Sequence, residues 1–236
     1  EYVPQAIAAG CDMFLFFNNI DEDYNFMLNG YKNGIITEER LQDALERILG
    51  FKATLGLHKA QKDGSIFRTE EDLKVIGCED HIERAKQAVD KGITLVKNTL
   101  DQLPIRPETH KRIRLYYLEG EKGGLLGDSD SLQTIVKELE SRGFEVTVND
   151  GNTRVKGPTL KYREEVDAAL VFSNVVGYGA ENNYRIKWKM AMSNEVPWYV
   201  HEVPTVFVSL NYTTHLTDVP MVKCYINAYK DTEITI

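Results

Sequence analysis

A glycine-rich stretch, GEKGGLLGDSDS at Gly120–Ser131, lies between a predicted strand and a predicted helix, which is where phosphate-binding loops occur. It lacks the G-x-G-x-x-G order, and no Gly-Lys-Ser/Thr sequence ends it. Two carboxylates, Asp128 and Asp130, would also repel a phosphate group. The stretch therefore predicts a flexible turn, with Asp130 or Ser129 capping the helix that follows.

Other reactive residue types occur singly or at spacings that favour structural roles. Asp21 and Asp23 are almost adjacent at a predicted helix start, where negative charge complements the helix dipole. His201 and His215 have no partner at a set spacing, which is typical of structural or surface histidines. The three cysteines are far apart and form neither a metal-ligand spacing nor a CxxC pair, which indicates buried or unreactive thiols.

The composition is that of an ordinary globular protein. The 236 residues favour one large domain or two smaller ones, with 42% apolar and 27% charged residues. A net charge of −8 argues against a protein whose main task is to bind nucleic acid or anionic lipid. No apolar run approaches the ~18 residues that a membrane-spanning helix needs. We therefore expect neither nucleic acid nor a membrane among the partners.

Strand and helix patterns alternate along the chain. The run Met13–Phe17 has five successive apolar residues, which predicts a strand covered on both faces. The sequence from His58 to Asp80 has no periodicity and is interpreted as a linker. Alternation of strands and helices favours a mainly parallel, helix-covered sheet. The periodicity predicts helices at Val3–Ala9, Asp21–Tyr31, Thr37–Leu55, His81–Lys91, Ser131–Ser141 and Asn182–Met192, and strands at Asp12–Asn18, Ile93–Asn98, Ile113–Leu118, Phe144–Val148, Val166–Ser173, Pro204–Leu210 and Val222–Ala228.

Two blocks of the sequence resemble glycoside hydrolase family 3. The first, from Ala8 to Leu57, resembles the end of the catalytic barrel of these enzymes, and the second, AVDKGITLVKN…LPI from Ala88 to Ile105, resembles the entry to their second domain. Downstream, VPTVFVSLN…VPMVKCYINAYKD is similar to a late sheet segment in the β-N-acetylhexosaminidase branch. The family's helix motif in the first block is matched by Gly34, Ile36, Thr37, Arg40, Leu41, Ala44, Arg47, Ile48 and Leu49.

The resemblance implies an α/β fold in which the C-terminal end of a (β/α)8 barrel is followed by a flavodoxin-like α/β sandwich. Residues 1–57 would form the barrel end, 58–110 the linker and the entry to the second domain, and 111–236 the sandwich. Met13–Phe17 would be the eighth barrel strand, with its neighbouring strands outside this chain. We therefore expect a fragment of a longer protein, trimmed at both ends.

The resemblance also implies a retaining glycosidase that cleaves terminal β-linked sugars, N-acetylglucosamine foremost, through a glycosyl-enzyme intermediate. Such enzymes need a carboxylate nucleophile and an acid/base on either side of the scissile bond. In the family the nucleophile is an aspartate that would lie upstream of Glu1, so we expect this chain alone to be inactive. Neither a metal nor an organic cofactor is implied.

The resemblance points to three candidate site residues. Glu181, in GYGAENNYR, matches the second-domain glutamate that serves as acid/base in the β-glucosidase branch, and its alternative is a solvated glutamate at a helix start. Asn18 and Asn19 follow the predicted barrel strand at the face where barrel active sites assemble. Their amides would bind sugar hydroxyls or an N-acetyl group, or would instead cap the next helix.

A non-enzymatic alternative remains open at this point. The region from Lys111 to Ile236 is also compatible with a flavodoxin-like module that binds a ligand or docks a partner, without chemistry. Its ligand would lie at the carboxyl ends of the strands, in the loops Gly120–Ser129, Asn174–Ala180 and Asn211–Thr217. Because an orphaned barrel segment exposes apolar surface, we also expect self-association through this segment, or docking of residues 1–57 onto the second domain.

Overall fold

A computed structural model of the protein describes residues 2–119, 131–151, 159, 161–175, 185–186, 188 and 195–236. The contacts divide the chain into two units, Glu1–Ile76 and Gly77–Ile236. The boundary after Ile76 falls inside the region 58–110 that the sequence assigns to the linker and the entry to the second domain.

The first unit is built from helices. Asn19 precedes α2 and Thr37 precedes α3, and each caps its helix, since the Thr37 hydroxyl accepts a hydrogen bond from the Arg40 amide at 3.1 Å. The two predicted helices are therefore present with the expected start signals. The helices of this unit are α1 (Val3–Ala8), α2 (Ile20–Lys32), α3 (Glu38–Thr54), α4 (Leu57–Asp63) and α5 (Glu70–Leu73).

The strand predicted over Asp12–Asn18 is absent, and that expectation is wrong for this chain. A strand requires hydrogen bonds to a neighbour, and the six-stranded sheet of the described residues includes no strand from this segment. Four of its five apolar side chains are exposed instead, with Leu15 at 84% and Phe16 at 97%. Phe16 also has a φ of 59°, which is strained for a bulky residue.

The linker predicted from His58 to Asp80 is partly helical, since it contains all of α5 and all of α4 except Leu57. Thr69 and Asp72 form a capping box at the start of α5. Neither α4 nor α5 buries a residue. Their sequences, LHKAQKD and EEDL, are short and mostly polar and so carry no apolar stripe, which is why periodicity did not predict these helices.

The second unit contains a six-stranded sheet in the order β1-β6-β5-β4-β2-β3. Strands β2 to β6 are parallel, and β1 pairs antiparallel with β6 at one edge. This mixed α/β fold confirms the mainly parallel sheet that the sequence predicts. The elements are α6 (Glu79–Gly92), β1 (Thr94–Asn98), β2 (Arg112–Glu119), α7 (Ser131–Ser141), β3 (Glu145–Val148), α8 (Lys161–Glu165), β4 (Ala168–Asn174), β5 (Thr205–Ser209) and β6 (Cys224–Asn227), with 3-10 helices at Trp198–His201 and His215–Thr217.

Both faces of the sheet are covered by apolar clusters. One face carries Tyr116, Val171, Phe207 and Tyr225, and Tyr199 stacks on Tyr116 with ring centroids 4.5 Å apart. The other face packs against α7 through Ile135 and the partly buried residues around it. Because successive residues of a strand point to opposite faces, a strand buried on both sides carries a continuous apolar run, as β2 does at Leu115–Leu118 and β4 at Ala168–Phe172.

Three described residues contradict the helix predicted over Asn182–Met192. Arg185, Ile186 and Trp188 are not helical, and the remainder of that range lies outside the described residues. The Ile186 amide donates to the Asp218 carboxylate at 3.3 Å instead of to a helical carbonyl. A tertiary contact here replaces the local helix bond that periodicity favours.

Candidate functional site

The two asparagines predicted to contact sugar lie at the start of α2 in the first unit. The Asn19 side-chain oxygen accepts hydrogen bonds from the amides of Asp21 and Glu22, both at 3.1 Å. Asn18 and Asn19 are both exposed. The geometry therefore gives Asn19 its capping role, while sugar contact by either amide stays a prediction.

Glu181 lies outside the described residues, as do Asp128, Ser129 and Asp130. The acid/base role proposed for Glu181 and the expected cap of α7 therefore stay predictions. The loops Gly120–Ser129 and Asn174–Ala180 are likewise described only at Asn174 and Val175.

Five described polar residues of the second unit form a cluster at the carboxyl edge of its sheet. Asn174, at the end of β4, donates from Nδ2 to the Tyr117 hydroxyl and to the Asp231 carboxylate, both at 2.9 Å. Its Oδ1 accepts a hydrogen bond from Asn211. The Ser131 hydroxyl, at the start of α7, donates to the same Asp231 oxygen at 3.2 Å. We call Tyr117, Ser131, Asn174, Asn211 and Asp231 the carboxyl-edge cluster.

Burial keeps the phenol of this cluster neutral. Desolvation raises the pKa of Tyr117, and hydrogen bonds from Asn174 and Ser131 only partly oppose that shift. The phenol therefore serves as a neutral hydrogen-bonding group and supplies no phenolate nucleophile at neutral pH.

A second group of polar residues surrounds His215, which the sequence treats as a structural or surface residue. His215 is fully buried, and its Nδ1 lies 3.1 Å from the hydroxyls of both Ser173 and Ser209. The Ser209 hydroxyl also donates to the carbonyl of Tyr212. Serine–histidine pairs act as nucleophiles only where substrate can reach them. Since all three side chains have no exposed surface, the arrangement is a buried hydrogen-bonded group and not a catalytic pair.

Sequence reasoning missed an ion-pair cluster in the first unit. Asp12 accepts hydrogen bonds from Arg47, at 2.8 Å to Nε, and from Arg40. Arg40 also donates from Nε to the Ile7 carbonyl at 2.9 Å. The hydrogen bond from Arg47, followed by that from Arg40, holds the pKa of Asp12 below its ordinary value. The signal was available, since arginines seven residues apart share one face of a helix.

The described residues show no metal centre. No group of three or more histidine, cysteine, aspartate or glutamate side chains is arranged to hold a metal ion in the part of the chain that the structure describes. A search of the same residues for a long apolar helix that could cross a membrane found none.

Known proteins match this chain over its whole length. A β-N-acetylglucosaminidase/β-glucosidase of Cellulomonas fimi is 38% identical over 241 residues, covering 100% of this chain and 42% of the relative. The solved structure of the β-glucoside phosphorylase BglX bound to 2FGlc is 32% identical with a TM-score of 0.82, covering 99% of this chain and 41% of that one. No profile of a known protein family matches the sequence.

A more distant structure agrees in fold. The glycoside hydrolase family 3 β-N-acetylglucosaminidase from Paenibacillus sp. str. FPU-7 is 15% identical, with a TM-score of 0.60 over 99% of this chain and 43% of that one. The chain thus spans about two fifths of the length of the relatives it matches. The six-stranded sheet corresponds to the α/β domain that the sequence motifs predict. Over the part that it spans, the chain is therefore similar in sequence to β-glycoside-active enzymes and in fold to a glycoside hydrolase family 3 enzyme.

Proposed function

We propose that this chain is part of a retaining glycosidase that removes terminal β-linked sugars, N-acetylglucosamine foremost. The observation that carries the proposal is the 38% identity, over the whole chain, to a β-N-acetylglucosaminidase/β-glucosidase. A carboxylate would attack the anomeric carbon, and an acid/base would protonate the leaving oxygen and then activate the acceptor. Carbohydrate is accordingly the proposed substrate class.

Residues 1–57 are proposed to belong to the end of the barrel that carries this site. The exposure of Leu15 and Phe16 supports this placement, since a barrel strand is apolar on both faces and is covered only by neighbouring strands and helices. Asn18 and Asn19 would then lie at the sugar-binding face. The nucleophile is proposed to come from residues outside this sequence, which makes the 236-residue chain inactive by itself.

A second candidate differs only in the acceptor. The 32% identity and TM-score of 0.82 to a β-glucoside phosphorylase favour phosphate as an alternative to water. In that reaction the glycosyl-enzyme bond breaks as a phosphate oxygen forms the new bond to the anomeric carbon, and the product is a sugar 1-phosphate. The two reactions share the first step and are separated by their products.

The test compares the 236-residue chain with the longest polypeptide that its gene encodes. Both are assayed with aryl β-N-acetylglucosaminide and aryl β-glucoside, with and without inorganic phosphate, and the products are separated by chromatography. We expect activity only in the longer polypeptide, with free sugar as the product of a hydrolase and sugar 1-phosphate as that of a phosphorylase. Hydrolysis by the 236-residue chain, abolished by Glu181→Gln, would show that Glu181 is catalytic and would move the protein to the β-glucosidase branch.

The non-catalytic alternative is tested on the same preparation. Calorimetric titration with nucleotides and with sugars distinguishes a ligand-binding sandwich from a glycosidase domain. Binding of a nucleotide, together with no turnover by the longer polypeptide, would favour the module and overturn the glycosidase proposal.

A further inference from the structure

Doubly wound sheets bind phosphate-bearing ligands where the strand order reverses, beside the N-terminus of the following helix. In this sheet the reversal lies between β2 and β4, because β3 extends the sheet on one side of β2 and β4 on the other. The two strands end side by side, with Glu119 opposite Asn174. The next described helix after β2 is α7, which has 11 residues. A phosphate-bearing ligand of such a fold would be held at this position.

A carboxylate from the chain itself lies there. The Asp231 side chain is only 9% exposed, and one of its oxygens accepts hydrogen bonds from Asn174 at 2.9 Å and from Ser131 at 3.2 Å. These donors come from the end of β4 and the start of α7, 57 and 100 residues away along the chain. Asp231 therefore joins the segment after β6 to both elements that form the switch point.

Charge supports the same interpretation. Asp231 brings negative charge to the N-terminal end of α7, whose first turn carries no acidic side chain of its own; Asp128 and Asp130, which precede this turn in the sequence, lie outside the described residues. The Lys230 ammonium lies 3.5 Å from the other Asp231 oxygen. A buried carboxylate is costly unless donors and cations surround it, and this one has both.

We propose that Asp231 is a built-in anion, which fills the switch point and holds the segment after β6 across the carboxyl edge of the sheet. The position is thereby closed to phosphate or carboxylate ligands in the native chain and accepts a small anion only when Asp231 is removed. This proposal does not depend on the proposed glycosidase activity.

The experiment removes the Asp231 carboxylate by substitution and adds a small anion to the solution. Thermal unfolding is followed by tryptophan fluorescence, since the two tryptophans, Trp188 and Trp198, both lie in the second unit. Asp231→Ala is expected to lower the unfolding midpoint by roughly 3–10 °C. Sodium formate or inorganic phosphate should then raise the midpoint with increasing concentration, beyond the effect of sodium chloride at equal ionic strength. Wild type should show no such difference between the salts.

Two further variants make the result decisive. Glu233→Ala removes an exposed carboxylate from the same segment and is expected to leave both the midpoint and the formate response at wild-type levels. Asp231→Asn keeps the side-chain volume without the charge, so its midpoint should fall without recovery in formate. An unchanged midpoint in Asp231→Asn, or equal responses of Asp231→Ala to formate, phosphate and chloride, would overturn the proposal.

Discussion

Gly30 offers a sharp test of how the first unit is packed. It lies in the last turn of α2 and is buried against α1. A Cβ added at Gly30 would lie 2.4 Å from the Pro4 Cβ and 3.4 Å from the Ile36 Cδ1. The proline ring is rigid and attached to the backbone of α1, so it cannot turn aside. The structure therefore predicts that Gly30→Ala forces the two helices apart.

Whether Gly30→Ala stabilises or destabilises the two helices is the informative result. Glycine to alanine inside a helix normally stabilises it by about 0.8–1.0 kcal/mol, through backbone entropy. Overpacking of a close contact costs about 1–3 kcal/mol, and we expect it to outweigh that gain at Gly30. Gly50, in α3, has no atom within 4 Å of an added Cβ and provides the matched control. Gly50→Ala should show the propensity gain alone.

Amide hydrogen exchange read by mass spectrometry resolves the two outcomes, because it reports opening of each helix separately. Peptides from α1 and α2 should exchange faster in Gly30→Ala, by up to about 30-fold for a net loss of about 2 kcal/mol. Peptides from α3 should exchange more slowly in Gly50→Ala, by up to about fivefold. Protection of α1 and α2 in Gly30→Ala equal to or above that of wild type would refute the packing described here.

Three further outcomes follow from the site and the core. Asn19→Ser keeps a capping oxygen but loses the amide, so in the active polypeptide it should retain stability and raise KM, whereas a wild-type KM would assign Asn19 to capping alone. Because the pKa of Asp12 is lowered, its ion pairs stabilise the first unit fully at a pH above the ordinary value of 3.8 and lose that effect as the pH falls below it. Asp12→Asn should therefore reduce the helical circular dichroism signal at pH 7 but not at the low-pH end of an acid titration. Phe207→Ala, at a fully buried position, should destabilise the second unit by about 3–5 kcal/mol in urea unfolding followed by tryptophan fluorescence, and a loss below about 1 kcal/mol would contradict the core assignment.

Local patterns predicted the elements that local interactions determine. The helix that the sequence predicts up to Ser141 ends at that residue, because its apolar residues recur with helical spacing up to there and Gly143 follows it with a φ of 94°. The strand predicted at Pro204–Leu210 is present as Thr205–Ser209. The stop signal of the helix therefore lies within a few residues of its end.

The features that were not predicted depend on contacts between residues that are distant in the sequence. Met13–Phe17 has the composition of a buried strand, but a strand forms only beside another strand, and sequence composition does not say whether one is there. The carboxyl-edge cluster was equally hidden, since Asp231 meets Ser131 across 100 residues of chain. The strand order predicted which loops lie at this edge of the sheet, but it did not predict that the Asp231 carboxylate lies among them.

The two edges of the sheet have a consequence for the physical form of the purified protein. Edge strands are templates for fibril growth when they are long and regular. Here β3 has four residues, and β1 changes register between Leu95 and Lys97, with the Lys97 ammonium bound to the Pro220 carbonyl at 2.8 Å. Within the described residues, neither edge strand offers a long ladder to an incoming chain. Fibril growth from these two edges is therefore not expected, and the purified protein should not bind amyloid dyes.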